Sequence, residues 1–393
     1  MSFSDLGLVP GLVAALAEDG IADPSPIQRQ AVPAMLGGAS VVAVARTGSG
    51  KTLAYSLALL QRLRDVEDAE GTVTERARPR AIVLTSTREL VDQTIKVLKK
   101  CAHTVKQRIR AAAGGLADRQ QRIQLADASD VLVANPPRLV SLVKSGAVSL
   151  DDVRLIVVDE ADTLLAPGQR GDIEFLLDRV PPEHQVAFFS ATLPEAIRAW
   201  VLRRPEHPVL LLSKDAHSAP ESVKVKNVTV KAADRTDAIH DVLVAAPPNE
   251  RGIVFANRRE TADEIGRVLI ERGHDVVVVH GGLKPDERRA ALKAFRAGKG
   301  RLLVTTELGG RGLHVDGLGL VVNYELPEKP SEYLHRIGRV GRQGAKGRVV
   351  NLVTPSDNRL LAEVERLAKG GKLDTGESLR GPRQRRQNPP RRR

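Results

Sequence analysis

Ten short apolar runs, rich in β-branched residues and spaced by helix-like stretches, constrain this chain more than any other feature. Five come early, at 41–45, 81–85, 130–134, 155–158 and 186–189. Five more follow, at 252–255, 275–279, 301–305, 320–323 and 347–352. Runs this continuous need cover on both faces, which parallel strands joined by crossover helices supply. The stretches 89–100 and 260–272 read as such helices, so the alternation predicts an α/β layered fold. Between the two series lies SKDAHSAPES, residues 213–222, polar and without periodicity. It reads either as an interdomain linker or as a surface loop of one large sheet. A single core rarely grows to hold 393 residues, which favours two or three domains. A last helix is expected at 357–369, followed by a Gly/Arg/Pro-rich tail expected to be disordered.

The first run ends in ARTGSGKT, residues 45–52. Small residues let backbone N–H groups curl round a phosphate, and the helix that follows adds its positive end. Ala45, Arg46, Thr47, Gly48, Ser49, Gly50, Lys51 and Thr52 are therefore candidate ATP-binding residues, although Ala45 stands where glycine usually opens the pattern. Lys51 can reach the β and γ phosphates, and the Thr52 hydroxyl can ligate Mg²⁺. The run LIVV leads into Asp159-Glu160-Ala161-Asp162, which puts carboxylates at a strand's C-terminal edge, where open α/β sheets bind ligands. Asp159 would hold Mg²⁺ through water, and Glu160 would orient or deprotonate the attacking water.

With these residues the chain resembles the DEAD-box RNA helicase family, named for the tetrapeptide at 159–162, over the stretch from Phe3 to about Leu352. The resemblance implies two tandem RecA-like domains with parallel sheets and a shared ATP site. Divided accordingly, residues 1–29 form a Q-motif segment, 30–213 the N-terminal ATP-binding domain and 214–221 the linker. Residues 222–370 form the C-terminal domain and 371–393 the basic tail. GIADPSPIQ, residues 20–28, is similar to the adenine-reading Q motif, with Gln28 as the adenine contact and Phe3 at the upstream aromatic position. Ser190 and Thr192 lie in a SAT motif that in the family couples hydrolysis to strand separation. HRIGRVGR, residues 335–342, resembles the arginine-finger motif, which implies catalytic roles for His335, Arg339 and Arg342. A trans arginine of this kind contributes on the order of 10³–10⁵ in rate and makes hydrolysis depend on closure.

By the same resemblance, single-stranded RNA is held by its sugar–phosphate backbone with little base reading. The matching positions are Arg88, Gly114, Gly115, Arg138 and Thr306, with Arg288 and Arg296 extending the path. The departures from the family pattern concentrate here. Ser86 replaces a proline, and NPPR at 135–138 replaces TPGR, so that Pro137 removes a backbone donor. Pro285 replaces a glutamine. Glu307, Gly310 and His314 replace Asp, Ala and Asp, and Val340 replaces a small polar residue. His314, the ATP-ribose contact in the family's place for Asp, lacks a fixed negative charge. The pattern predicts retained ATP hydrolysis with weaker RNA coupling than is usual for the family.

Charge points the same way. The net charge of +12 favours a polyanionic partner, and seven arginines in residues 380–393 supply over half of it. Aromatic residues are only 3%, which argues against base reading mainly by stacking. The tail is expected to add sequence-independent RNA affinity or simply to solubilise. No run of about 18 apolar residues suggests a membrane span, and the single Cys101 rules out an internal disulfide. The expectation is a cytoplasmic, bacterial monomer that binds ATP, Mg²⁺ and RNA, alone or in a ribonucleoprotein assembly. Two alternatives stand beside RNA unwinding: a nucleotide-gated RNA clamp or assembly factor that unwinds nothing, and a DNA translocase on the same frame.

Overall fold

The computed structural model describes residues 1–71, 75–114, 121, 123, 125, 127–166, 168–213, 222–310, 315, 317–341 and 345–368. The linker 214–221, the tail 371–393, Gly115, His314 and Arg342 lie outside the described residues.

Two parallel sheets form the frame. The first has seven strands in the order β3-β4-β2-β5-β6-β1-β7. These are β1 (Val41–Val44), β2 (Ala81–Leu84), β3 (Ile109–Ala112), β4 (Val131–Ala134), β5 (Leu155–Asp159), β6 (Gln185–Ser190) and β7 (Val209–Leu212). The second has six, in the order β10-β11-β9-β12-β13-β8. They are β8 (Val223–Thr229), β9 (Arg251–Ala256), β10 (Val276–Val279), β11 (Leu302–Thr306), β12 (Leu318–Asn323) and β13 (Gly347–Val353). This two-sheet α/β architecture is the one the apolar runs predict.

β1 and β2 are apolar throughout because alternate side chains enter different cores. Val41 and Ala43 pack into one cluster, and Val42 and Val44 into another on the opposite face. Ala81 and Val83 divide from Ile82 and Leu84 in the same way. Each fully buried valine or leucine contributes about 1.5–3 kcal/mol, so a strand with both faces covered is mostly apolar.

Three strands escaped the sequence reading. β3 (IRAA) and β7 (VLLL) close the two edges of the first sheet, and β8 (VKVKNVT) lies at an edge of the second. In β8, exposed Lys224 and Lys226 guard the open side against further pairing. Among the described residues, no helix is long and apolar enough to cross a membrane.

Candidate active site

The strand order sets the chemistry. β5, β6 and β1 are neighbours, so their C-terminal ends present Asp159, Ser190 and the phosphate loop side by side. The Ala45 N–H donates to the Ser190 carbonyl at 3.1 Å and ties two of these ends together.

The phosphate loop runs from β1 into α3 (Lys51–Glu70). Gly50 caps that helix at φ 88, in the left-handed region that favours glycine. A Cβ there would also strike the Gln28 amide. Lys51 Nζ donates to the carbonyls of Ala45 at 2.5 Å and Arg46 at 2.9 Å, so its charge sits inside the loop. Gln28, on α2 (Pro26–Leu36), is buried with both ends of its amide engaged. Its Nε2 donates to the Gly50 carbonyl at 3.1 Å, and its Oε1 accepts from the Ser25 N–H at 2.8 Å. Here it braces the phosphate loop.

Asp159 is the buried acid of the site. It accepts from the Tyr55 hydroxyl at 2.8 Å and from the Glu160 N–H at 2.9 Å. Burial, then the charge of Glu160, pushes its pKa up to about 6, against the pull of Lys51. Burial and the Asp159 charge likewise raise the Tyr55 phenol well above its ordinary value. Two crowded carboxylates, with the Thr52 hydroxyl lining the same cavity, suit a divalent cation that would relieve their repulsion. Mg²⁺ takes one or two carboxylates and otherwise keeps waters and phosphate oxygens, which this sparse donor set fits. Glu160 sits at φ 51 as the cap of α5 (Ala161–Leu164), a strained position for a residue with a side chain.

Asp162 is the residue that sequence reasoning missed. Its Oδ2 accepts from the Thr192 hydroxyl at 2.6 Å and the Thr192 N–H at 3.1 Å, while its own N–H donates to Ser190 Oγ at 3.1 Å. From the second domain, His335 Nε2 comes within 3.4 Å of the same Oδ2. Burial alone would raise the Asp162 pKa, but His335 and the hydroxyls hold it well below the carboxylate range. For His335 burial favours the neutral ring, and Asp162 outweighs it, so the pKa is raised. The tetrapeptide, the SAT hydroxyls and the finger helix thus meet at one carboxylate. Only their approach in space shows it, because Asp162 and Thr192 lie 30 residues apart in sequence.

His335 lies on α6 (Pro330–Ile337), and Arg339 follows one turn later, buried, with its Nε donating to the His335 carbonyl at 3.2 Å. Between them Arg336 points the other way. It is wholly buried and bonds Glu307, Asn323, Asn257 and the Glu325 carbonyl, with Phe255 against its face. Arg336 therefore anchors the finger helix to its own domain. Val340 packs in the core against Gly347. At Gly338 a Cβ would lie 2.8 Å from the Thr47 Cβ, so the two domains are in close contact here.

Thr47, Gly48, Gly50, Lys51, Thr52, Asp159, Glu160, Asp162, His335 and Arg339 line one cavity of about 530 Å³ between the domains. Ala45, Arg46, Ser49, Gln28, Ser190 and Thr192 are not among the residues that line it.

Among the described residues, the positions expected to meet RNA are engaged within the protein, apart from the exposed Arg296. Arg88, which opens α4 (Arg88–Ala102), donates to the Gly114 carbonyl at 2.8 Å. Arg138 donates to Gln121. Arg288 reaches across the cleft to Glu89 at 3.5 Å. Thr306 is buried at the end of β11, where its hydroxyl accepts from the Gly309 N–H at 3.4 Å, and Arg296 is exposed. Pro136 and Pro137 are the first two residues of the helix Pro136–Lys144, which removes two N–H groups from its anion-binding end. Asn135 Nδ2 donates to the Thr85 carbonyl at 2.9 Å.

Comparison with known proteins gives a consistent result. The DEAD/DEAH box helicase model matches residues 25–200, and the helicase conserved C-terminal domain model matches residues 234–344. The chain is 33% identical over 370 residues to the DEAD-box ATP-dependent RNA helicase RhpA of Helicobacter pylori (strain B128), covering 93% of this chain and 72% of that protein. It is 34% identical over 369 residues to the RNA helicase CrhR of Synechocystis, covering 94% and 73%. Among solved structures, S. cerevisiae Dbp5 bound to RNA and ADP BeF3 superposes with a TM-score of 0.82 at 28% identity, covering 93% of each chain.

Proposed function

The chain belongs to the DEAD-box helicase family, and from that premise we propose that it hydrolyses ATP in the interdomain cavity and uses closure of the cleft to remodel RNA locally. One observation carries the reading: a phosphate loop, the three acidic residues of the tetrapeptide and His335 and Arg339 of the finger motif line one cavity. Lys51 binds the β and γ phosphates once they replace its loop carbonyls. Glu160 orients the attacking water and accepts its proton. Thr52 and Asp159 would hold Mg²⁺, which would supply positive charge against the phosphates. Arg339 and Arg342 stabilise the charge that spreads over the transferred phosphoryl group, so hydrolysis waits on closure. RNA lies along Arg88, Gly114, Gly115, Arg138, Arg288, Arg296 and Thr306.

The coupling to RNA is weak in this reading. The helix that opens with Pro136 and Pro137 offers few N–H groups to a phosphate, and Arg88, Arg138 and Arg288 must first leave their partners. The same facts favour a second reading, an RNA clamp that hydrolyses slowly and releases no strand. ATP turnover with and without single-stranded RNA tests the first, and stimulation of about a hundredfold or more would refute weak coupling. Release of a short labelled duplex strand on adding ATP separates the motor from the clamp.

A further inference from the structure

Residues 86–89 form a junction at which four consecutive side chains reach four different places. Ser86 Oγ donates to Glu160 Oε2 at 2.5 Å. Thr87 caps α4 by accepting from the Leu90 N–H at 3.3 Å. Arg88 holds the Gly114 carbonyl, and Glu89 faces Arg288 of the other domain. The junction is fixed from behind, since the Thr85 carbonyl accepts from Asn135 and the Thr85 hydroxyl donates to the Thr87 carbonyl at 3.3 Å.

From this geometry we infer that Ser86 is a positioning residue for hydrolysis, holding the Glu160 carboxylate while the adjoining residues take up RNA. The inference rests on the reading of Glu160 as the water-orienting group. Glu160 needs such a hold. Its backbone is in the left-handed region at φ 51, it begins a helix of only four residues, and its side chain reaches into the cavity. A carboxylate on such a mount has several rotamers, and only some point an oxygen at an in-line water. The hydrogen bond to Oε2 fixes one rotamer and leaves Oε1 for the water. Ser86 is two residues from Arg88, so a phosphate that draws Arg88 off Gly114 moves the backbone that carries the Ser86 hydroxyl. The contact therefore links RNA binding to the hydrolytic carboxylate through three residues of chain. Proline, the family's usual residue here, has no hydroxyl to make the link.

The test is steady-state ATP turnover by full-length wild type, Ser86→Ala and Ser86→Thr, with saturating oligouridylate and Mg²⁺. A hydrogen bond to a charged group corresponds to about tenfold. Ser86→Ala should lower kcat about tenfold while the KM for ATP and the Kd for oligouridylate stay within about twofold. Ser86→Thr, which keeps the hydroxyl, should retain most of kcat. Unchanged kcat in Ser86→Ala overturns the inference. So does a loss that Ser86→Thr shares equally, or one matched by a rise in KM. If wild type itself turns over no ATP, the reading of the site fails first, and that outcome is distinct from a wild type that is active and insensitive to Ser86.

Discussion

The contact between Gly338 and Thr47 gives a direct handle on closure. In Gly338→Ala the new methyl would sit 2.8 Å from the Thr47 Cβ, where ordinary contact begins at 3.4 Å, so the domains must part or the phosphate loop must shift. The backbone does not resist the change, because Gly338 has φ −66, which alanine adopts readily. Within its own domain the nearest atom to the methyl is the Leu334 carbonyl oxygen, at 3.2 Å, farther than Thr47. The cost therefore falls on the closed state. Overpacking of this kind costs about 1–3 kcal/mol, or roughly five- to 140-fold in the closing equilibrium. Domain closure can be followed by energy transfer between dyes on the two domains, titrating a beryllium fluoride complex of ADP in the presence of oligouridylate. The variant should need about five- to 140-fold more ligand to close, with a melting temperature equal to wild type. Closure at the wild-type midpoint would refute the argument, since the Thr47 contact would then carry no energy.

Three further outcomes follow from the site. The His335–Asp162 bridge should make closure pH-dependent. The His335 pKa is raised, so its contribution is fully present below the ordinary imidazole value of about 6.5 and lost as pH rises through the shifted value. The closing midpoint should weaken above that pH in wild type and not in His335→Gln, and an identical profile in both would count against the bridge. Tyr55→Phe leaves Asp159 short of a donor and should cost about 1–3 kcal/mol of first-domain stability by urea melting. An unchanged midpoint would mean that water replaces the phenol. Arg336→Met strips a buried cation from Glu307, Asn323 and Asn257 and should destabilise the second domain by about 3–5 kcal/mol. A stable variant that still lacked turnover would instead make Arg336 a functional finger.

The parts of the fold legible in the sequence are those with a local cause. Strands such as β1 and β2 are buried on both faces, so every residue in them is apolar and the run can be seen directly. β8 has one sheet neighbour and outward lysines, so its pattern of alternation sits beside a polar segment and resembles a loop. The phosphate loop and the acidic tetrapeptide are contiguous and therefore readable. Tyr55 on Asp159 spans 104 residues and Ser86 on Glu160 spans 74, and no short pattern encodes either. Arg336 was hidden differently. The arginines of one motif look alike in sequence, and only the bonds from Arg336 to Glu307, Asn323 and Asn257 show that it holds the helix.

The Arg288–Glu89 pair also changes how this protein should respond to salt. A surface arginine that meets RNA displaces a condensed cation from the strand, and each such contact adds about 0.7 to the logarithmic salt slope on single strands. Arg288 arrives already matched to a carboxylate across the cleft. A phosphate that takes Arg288 leaves Glu89 uncompensated and facing the strand, so the bound complex gains a negative group where the free protein had a neutral pair. Binding at this point is an exchange of anions rather than a neutralisation, and the slope should fall short of the number of arginines along the groove.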